Sequence, residues 1–126
     1  MTEAEEQKEI IRWYRDTYPE YAMSLRVSQT GASARGRAGQ FKWRAQQAKG
    51  AVAGESDIAI LLPRGGYGSL LIEHKADDAM RGATQAQLEY IEYHNANGNC
   101  ACVTKGVDMA KAAIRVYMDG QATPFP

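Results

Sequence analysis

The sequence predicts an α/β sandwich in which a small mixed sheet carries helices on both faces. Apolar stretches of helical period alternate with short apolar runs of period two, in the order α-β-α-β-β-α-β-α. The chain of 126 residues is long enough for one domain with one core. Because it contains no internal repeat and no dividing linker, residues 1–126 are predicted to form a single domain.

The first predicted helix begins at a capping box. Thr2 is followed three residues later by Glu5, a pattern that opens a helix, and Pro19 ends that helix. Alternating apolar side chains then predict a strand at about residues 23–28. Residues 29–39 are rich in Gly, Ser and Arg, and they predict a flexible loop.

A basic helix and a β-hairpin are predicted in the middle of the chain. The helix spans about residues 41–49 and ends at Gly50, because glycine favours a helix C-terminus. Two apolar runs, at about 56–62 and 69–76, follow it. They are joined by a turn rich in proline and glycine, which is typical of a hairpin.

The last third of the chain is predicted to form a helix, a strand and a second helix. Thr84 followed by Gln87 is another capping signature, and it opens a helix that reaches about Asn97. An apolar strand at 99–104 and a final helix at 107–118 complete the sandwich.

Composition and charge narrow the class of protein. No apolar run approaches the ~20 residues needed to span a bilayer, and the acidic N-terminus is unlike a signal peptide. Cys100 and Cys102 project in parallel from a predicted strand, so we expect free, buried thiols in a reducing cytoplasm rather than a disulfide. The net charge is zero, but residues 26–49 contain six basic side chains and no acidic one.

Such a basic segment can neutralise several phosphates, so zero net charge does not exclude a nucleic-acid partner. A solvated surface segment is the alternative interpretation. Four basic side chains are the candidates for phosphate contacts that position DNA without reading its sequence: Arg35, Arg37, Lys42 and Arg44.

Three charged residues at the end of the hairpin are the candidate active site. Glu73 and Lys75 share one face of their strand with Leu71, and the hairpin brings Asp57 back beside them. Carboxylates are hard ligands that suit Mg²⁺ or Mn²⁺, and the lysine can orient water or offset charge in the transition state. The alternative is an exposed Glu–Lys pair with Asp57 capping a turn.

The segments Gly54-Glu55-Ser56-Asp57, Ile72-Glu73-His74-Lys75 and Thr84-x-x-Gln87 together resemble the PD-(D/E)xK nucleases. More narrowly, the chain resembles the small stand-alone VRR-NUC (virus-type replication and repair nuclease) domains of phages and bacteria. The resemblance extends over nearly the whole chain, although Ser56 stands where the family usually has proline. It implies a three-layer, restriction-endonuclease-like sandwich.

The resemblance also implies roles for individual residues. Asp57 and Glu73 match the metal-binding acidic residues, and Lys75 matches the catalytic lysine. The backbone carbonyl of His74 would be a further metal ligand. Gln87 matches a helix glutamine that reaches toward the active site, and the alternative is that it only completes the capping box with Thr84.

A glutamate of the first helix is the remaining expected ligand. Glu6 is the first choice for the catalytic and metal-binding role, and Glu3, one turn earlier, is the alternative. The ring of His74 is expected to be a core or surface histidine rather than a general base. His94 is expected to be exposed to solvent.

The resemblance implies a Mg²⁺- or Mn²⁺-dependent endonuclease that hydrolyses DNA phosphodiesters in repair or recombination. Holliday-junction or other branched DNA is the leading substrate, cut by a homodimer in the cytoplasm of a bacterium or of a phage-infected host cell. A flap or nicking nuclease with the same site is one alternative. A non-catalytic DNA-binding module that retains the fold is another.

Overall fold

A four-stranded mixed sheet with helices on both faces forms the centre of the protein. The computed structural model describes residues 1–28 and 36–121, with only the backbone described for residues 36–40. The elements, in chain order, are α1 (Glu3–Thr17), β1 (Leu25–Val27), α2 (Gly36–Ala48), β2 (Ile58–Ile60), β3 (Leu70–Lys75), α3 (Gln85–Ala96), β4 (Cys100–Lys105) and α4 (Val107–Met118). None of the described helices is long and apolar enough to cross a membrane.

The predicted fold class and order of elements are confirmed, with two differences in the first half. A short 3₁₀ helix, Pro19–Ser24, occupies the beginning of the predicted strand at 23–28, so β1 has only three residues. Proline at its first position favours this tight turn. The helix predicted at 41–49 begins earlier, at Gly36. The rest of the predicted loop, 29–35, lies outside the described residues.

The strand order in the sheet is β1-β2-β3-β4. The two pairs β1–β2 and β2–β3 are antiparallel, as expected for the predicted hairpin, and β3–β4 is parallel. Strand β3 is therefore an interior strand, and residues 70–74 are all buried. The two cysteines of β4 form no disulfide, and Cys100 is buried whereas Cys102 is half-buried.

The two faces of the sheet are covered differently. Helices α1 and α4 pack on one face, over a core formed by Ile10, Tyr14, Ile58, Ile60, Leu70, Ile72, Cys100, Ala110, Ile114 and Tyr117. On the other face, Ile91 of α3 packs on Leu71 and Ala101, so α3 lies over β3 and β4.

A buried polar network joins α1 to β3. The His74 ring is fully buried, with Nε2 2.8 Å from Oε1 of Glu6 and Nδ1 2.8 Å from Oγ1 of Thr104. The other Glu6 oxygen accepts a hydrogen bond of 2.9 Å from the Asp77 amide. Burial raises the pKa of Glu6, but the bonds from Asp77 and His74 outweigh it and hold the pKa below its usual value. The network fixes the position of α1 relative to the end of β3.

A close contact also places the loop before β2 on the first turn of α3. Gly54 has a positive φ of 77°, and a Cβ built there would lie 2.2 Å from the carbonyl oxygen of Ala86. Glycine is therefore required at this position for steric reasons as well as for its backbone conformation.

Gly54→Ala and Gly50→Ala are expected to differ in stability, because only the first creates a clash. Gly50 also has a positive φ, but a Cβ there meets no described atom within 4 Å. We expect Gly50→Ala to cost about 1–2 kcal/mol in backbone strain. Gly54→Ala should cost about 1–3 kcal/mol more, from overpacking. Urea unfolding measures both, and equal losses would contradict the close contact.

Glu6→Ala is expected to lower the free energy of unfolding by about 3 kcal/mol, because it leaves the His74 ring and the Asp77 amide without a buried partner. Asp16→Ala, which removes an exposed carboxylate from the same helix, should change it by less than about 0.5 kcal/mol. Chemical unfolding of both variants, followed by circular dichroism, makes the comparison. Equal effects would show that the network adds no stability.

Candidate active site

The register of the hairpin places Asp57 opposite Glu73. Ile58 pairs with Ile72 in an antiparallel register, so Asp57, which directly precedes Ile58, lies opposite Glu73, which directly follows Ile72. Both side chains therefore project from the opposite face of the sheet to Ile58 and Ile72. Oδ2 of Asp57 also accepts a hydrogen bond of 2.9 Å from the His74 amide. The carboxyl groups of Asp57 and Glu73 lie within hydrogen-bonding reach of each other.

Glu73 is a buried carboxyl group with incomplete hydrogen bonding. It is 2 % exposed, and among the described residues its Oε1 has no hydrogen-bond partner. Burial, with the adjoining carboxyl group and charge of Asp57, raises the pKa of Glu73 to about 9, although Lys75 partly offsets this effect. The ionised form of this pair therefore needs a nearby positive charge.

Lys75 lies on the same face, two residues along β3, and is held by α3. Its Nζ donates a hydrogen bond of 3.1 Å to Oε1 of Gln87. The same oxygen accepts a bond of 2.8 Å from the Thr84 amide, which completes the predicted capping box. The two interpretations of Gln87 are therefore compatible, because one side chain caps α3 and also contacts Lys75.

The structure brings Glu3, rather than Glu6, toward the carboxylate pair. Both oxygens of Glu6 are engaged in the buried network described above, so the first choice for the helix ligand does not fit this geometry. Burial and the charge of Asp57 raise the pKa of Glu3, whose charge also contributes to the raised pKa of Glu73. The charge of Glu3 thus interacts with both carboxyl groups.

The two histidines have different surroundings from each other. The His74 ring is a core side chain that faces α1, away from Glu73 and Lys75, as expected. The predicted exposure of His94 is wrong, because the side chain is half-buried. Its Nδ1 lies 3.1 Å from Nδ2 of Asn99, its ring centroid lies 4.4 Å from that of Tyr90, and burial lowers its pKa.

The described residues include only part of the predicted phosphate-binding set. Lys42 and Arg44 are exposed on α2, whereas Arg35 and the side chain of Arg37 lie outside the described residues. The structure adds Arg26, an exposed side chain on the same face of the sheet as Asp57. Its place between two apolar residues of a strand is the sequence signal that could have identified it.

The donor set at the hairpin end suits a hard divalent cation. Among the residues described, no group of three or more His, Cys, Asp or Glu side chains is arranged to hold a metal ion. Asp57 and Glu73 nevertheless supply carboxylate oxygens, one of them buried and unpaired, which Mg²⁺ and Mn²⁺ prefer. Further ligands would have to come from Glu3, from backbone carbonyls or from water.

Comparison with known proteins agrees with this fold. No protein-family model matches the chain, and no curated protein does either. Among solved structures, the chain is similar to a protein described as a VRR_NUC domain protein. The TM-score is 0.78, with 29% sequence identity, over 94% of this chain and 88% of that one. The similarity supports the expected VRR-NUC resemblance, and the chain has a restriction-endonuclease-like fold.

Proposed function

We propose that the protein is a metal-dependent endonuclease that hydrolyses phosphodiester bonds in DNA. The observation that carries the proposal is the Asp57–Glu73 pair, in which Glu73 is buried and Asp57 half-buried, with Lys75 beside it on one face of the sheet. A buried carboxyl group next to a second one is costly for stability, and such costs are concentrated at functional sites. The similarity to a VRR_NUC domain protein supports the same conclusion.

Mg²⁺ or Mn²⁺ is the proposed cofactor, held by Asp57 and Glu73. Glu3 and the backbone carbonyl of His74 are the proposed additional ligands, with Glu3 replacing Glu6 for the reasons given above. When bound, the ion polarises the scissile phosphate and favours ionisation of the attacking water. Its charge also compensates the burial of the two carboxylates.

Lys75 and Gln87 are proposed to orient the reactants. The hydrogen bond to Gln87 holds the Lys75 ammonium on the face of the carboxylate pair. From there Lys75 donates a hydrogen bond to the attacking water or to a phosphoryl oxygen, and it offsets the negative charge that develops there. Because Gln87 is itself held by the Thr84 amide, this position is set before the substrate binds.

Branched DNA is the proposed substrate, cut by a homodimer. A two-fold dimer presents two identical sites, which matches the symmetric cuts that resolve a four-way junction. This step rests on the resemblance to stand-alone VRR-NUC domains. Flap cleavage or nicking of duplex would use the same residues, and a module that only binds DNA would not need the buried carboxylate pair.

Metal-dependent cleavage is expected to be lost when the pair or the lysine is changed. Asp57→Asn and Lys75→Ala should each lower the rate by about 10²–10³-fold or more, because each removes a charge that acts on the transition state. Labelled four-way junction, flap, duplex and single-stranded DNA are the substrates, with Mg²⁺ or Mn²⁺. Asp16→Asn and Lys8→Ala, at exposed positions of α1, are the matched controls and should keep wild-type rates.

Paired symmetric nicks in the junction would support the dimeric enzyme. Preferential cleavage of flaps or of plain duplex would support the nuclease proposal but contradict the proposal that a junction is the substrate. Metal-dependent cleavage that survives in both variants would place the active site elsewhere. If wild-type protein binds DNA but cuts none of these substrates, the protein is a binding module.

Stability without metal is expected to fall as the pH rises, because Glu73 holds its proton more tightly when folded. Its pKa is about 9 in the fold, compared with an ordinary value of 4.5. The stabilising contribution of protonated Glu73 to the free energy of unfolding is therefore complete below about pH 4.5, and it is lost as the pH rises through about 9. Near pH 8 in EDTA, Glu73→Gln should exceed wild type in unfolding free energy by about 1–3 kcal/mol.

With Mg²⁺, wild type should instead be more stable than Glu73→Gln. The ion stabilises the ionised carboxylate pair of the wild type and should bind less tightly to the variant, which lacks one carboxylate. Thermal unfolding across the pH range, with EDTA and with Mg²⁺, measures both effects. Glu92→Gln, at an exposed position of α3, is the isosteric control and should follow wild type. A Glu73→Gln variant with the wild-type pH profile would show that Glu73 is not held protonated in the metal-free fold.

A further inference from the structure

A cleft of about 290 Å³ lies on the α3 side of the sheet, beside the candidate active site. Strand pairing aligns Arg26, Ala59, Leu71 and Ala101 in one row across this face. Helix α3 covers the Leu71 and Ala101 end of the row. The small side chain of Ala59 leaves room over β2, and the cleft forms there.

The cleft lies next to the carboxylate pair along the strands. Asp57 and Glu73 occupy the next row on the same face, two residues along their strands from Ala59 and Leu71. Two residues of a strand span about 6.6–6.8 Å. Ser56, which directly precedes Asp57, lines the end of the cleft nearer the pair.

The lining of the cleft combines an aromatic wall with polar groups. Tyr90 and His94 of α3 form the wall, with their ring centroids 4.4 Å apart. Ser56 is 8 % exposed, and among the described residues its Oγ has no hydrogen-bond partner. The exposed Arg26 and the half-buried Glu55 line the cleft as well, and Arg26 offers a positive charge for a phosphate.

Polar groups also line the end of the cleft that lies away from the carboxylate pair. Oγ of Ser69 donates to Oδ1 of Asn99 at 2.8 Å, and Nδ2 of Asn99 lies 3.1 Å from Nδ1 of His94. The volume is at the lower end of the range for ligand pockets. It therefore fits one planar ring with polar edges better than a larger ligand.

We propose that this cleft binds the base of a nucleotide next to the scissile phosphate, unstacked from its neighbours and packed against Tyr90. The inference rests on the proposed nuclease function and narrows its substrate class. DNA with an unpaired nucleotide at the cut, as in a junction or a flap, is favoured over continuous duplex, because removing a base from a stacked duplex costs energy.

The base is the occupant that the lining favours. Base–aromatic stacking tolerates every base, and Tyr90 supplies the aromatic surface. Asp57 and Glu73 would hold the metal, which would bind the scissile phosphate in the row next to the cleft, so an adjacent nucleotide would be within reach of Tyr90.

Binding of a short adenine-rich single strand that contains one 2-aminopurine tests the cleft without cleavage. The protein carries Lys75→Ala in every sample, so that the strand stays intact. Unstacking should raise the 2-aminopurine fluorescence on binding. Tyr90→Ala should weaken binding about 5- to 100-fold and abolish this rise, as expected for loss of one stacking partner. Tyr90→Phe should retain both properties, and Tyr93→Ala, on the exposed side of α3, is the control.

A cleft-filling variant tests the same inference during catalysis. Ala59→Leu places a larger side chain on the floor of the cleft and removes none of the proposed catalytic groups. It should cut a strand with an intact base at the flanking position about tenfold more slowly than wild type. With an abasic nucleotide there, variant and wild type should have equal rates. Circular dichroism establishes that each variant is folded.

The outcomes separate this inference from the proposed function. If wild type cuts DNA but Tyr90→Ala binds normally with the same fluorescence rise, the cleft does not hold the base. The same conclusion follows if Ala59→Leu is equally slow on the abasic strand. If wild type cuts nothing, yet the fluorescence rise depends on Tyr90, the cleft binds a base and the nuclease proposal fails.

Discussion

The pairing register of β2 and β3 is the constraint on which the candidate site depends. It sets Asp57 opposite Glu73 on a buried face, where two like charges cannot both ionise at low cost. A shift of one residue would move these side chains to the other face and replace them with the apolar core. The paired apolar residues Ile58 and Ile72 therefore hold the candidate catalytic groups in place. Their packing in the core offsets the cost of a pair of carboxyl groups that destabilises the metal-free fold.

Because side chains alternate along β3, one face of the strand makes structural contacts and the other carries the candidate active site. On one face, His74 reaches Glu6 and anchors α1, whereas on the other face Glu73 and Lys75 point toward α3. The anchor has a consequence for the site, because fixing α1 also fixes Glu3 at its first turn near the carboxylate pair. The buried Glu6–His74 contact is thus structural. Because it occupies Glu6, it leaves Glu3 as the glutamate of α1 that is available for a metal.

The sequence predicted those features that depend on local pattern. Two capping boxes, the period of the strands and the hairpin turn led to the order of elements and to the grouping of Asp57, Glu73 and Lys75. The choice between Glu3 and Glu6 could not be made in this way. The two residues are three positions apart and lie on one side of the helix. Only the packing of α1 on the sheet decides that Glu6 binds His74 and that Glu3 faces the carboxylate pair.

Long-range packing likewise explains what the sequence did not predict at the cleft. The partial burial of His94 and the role of Arg26 both follow from the position of α3, which covers β3 and β4 but not the whole of that face. A helix centred on the sheet would bury Ala59 and strengthen the core. The observed arrangement leaves a cleft beside the two carboxylates instead. The structure thus departs from an optimally packed sandwich in two ways, by the open cleft and by the destabilising carboxylate pair, and the two adjoin each other. Such clustering is expected for a binding surface rather than for a defect in packing.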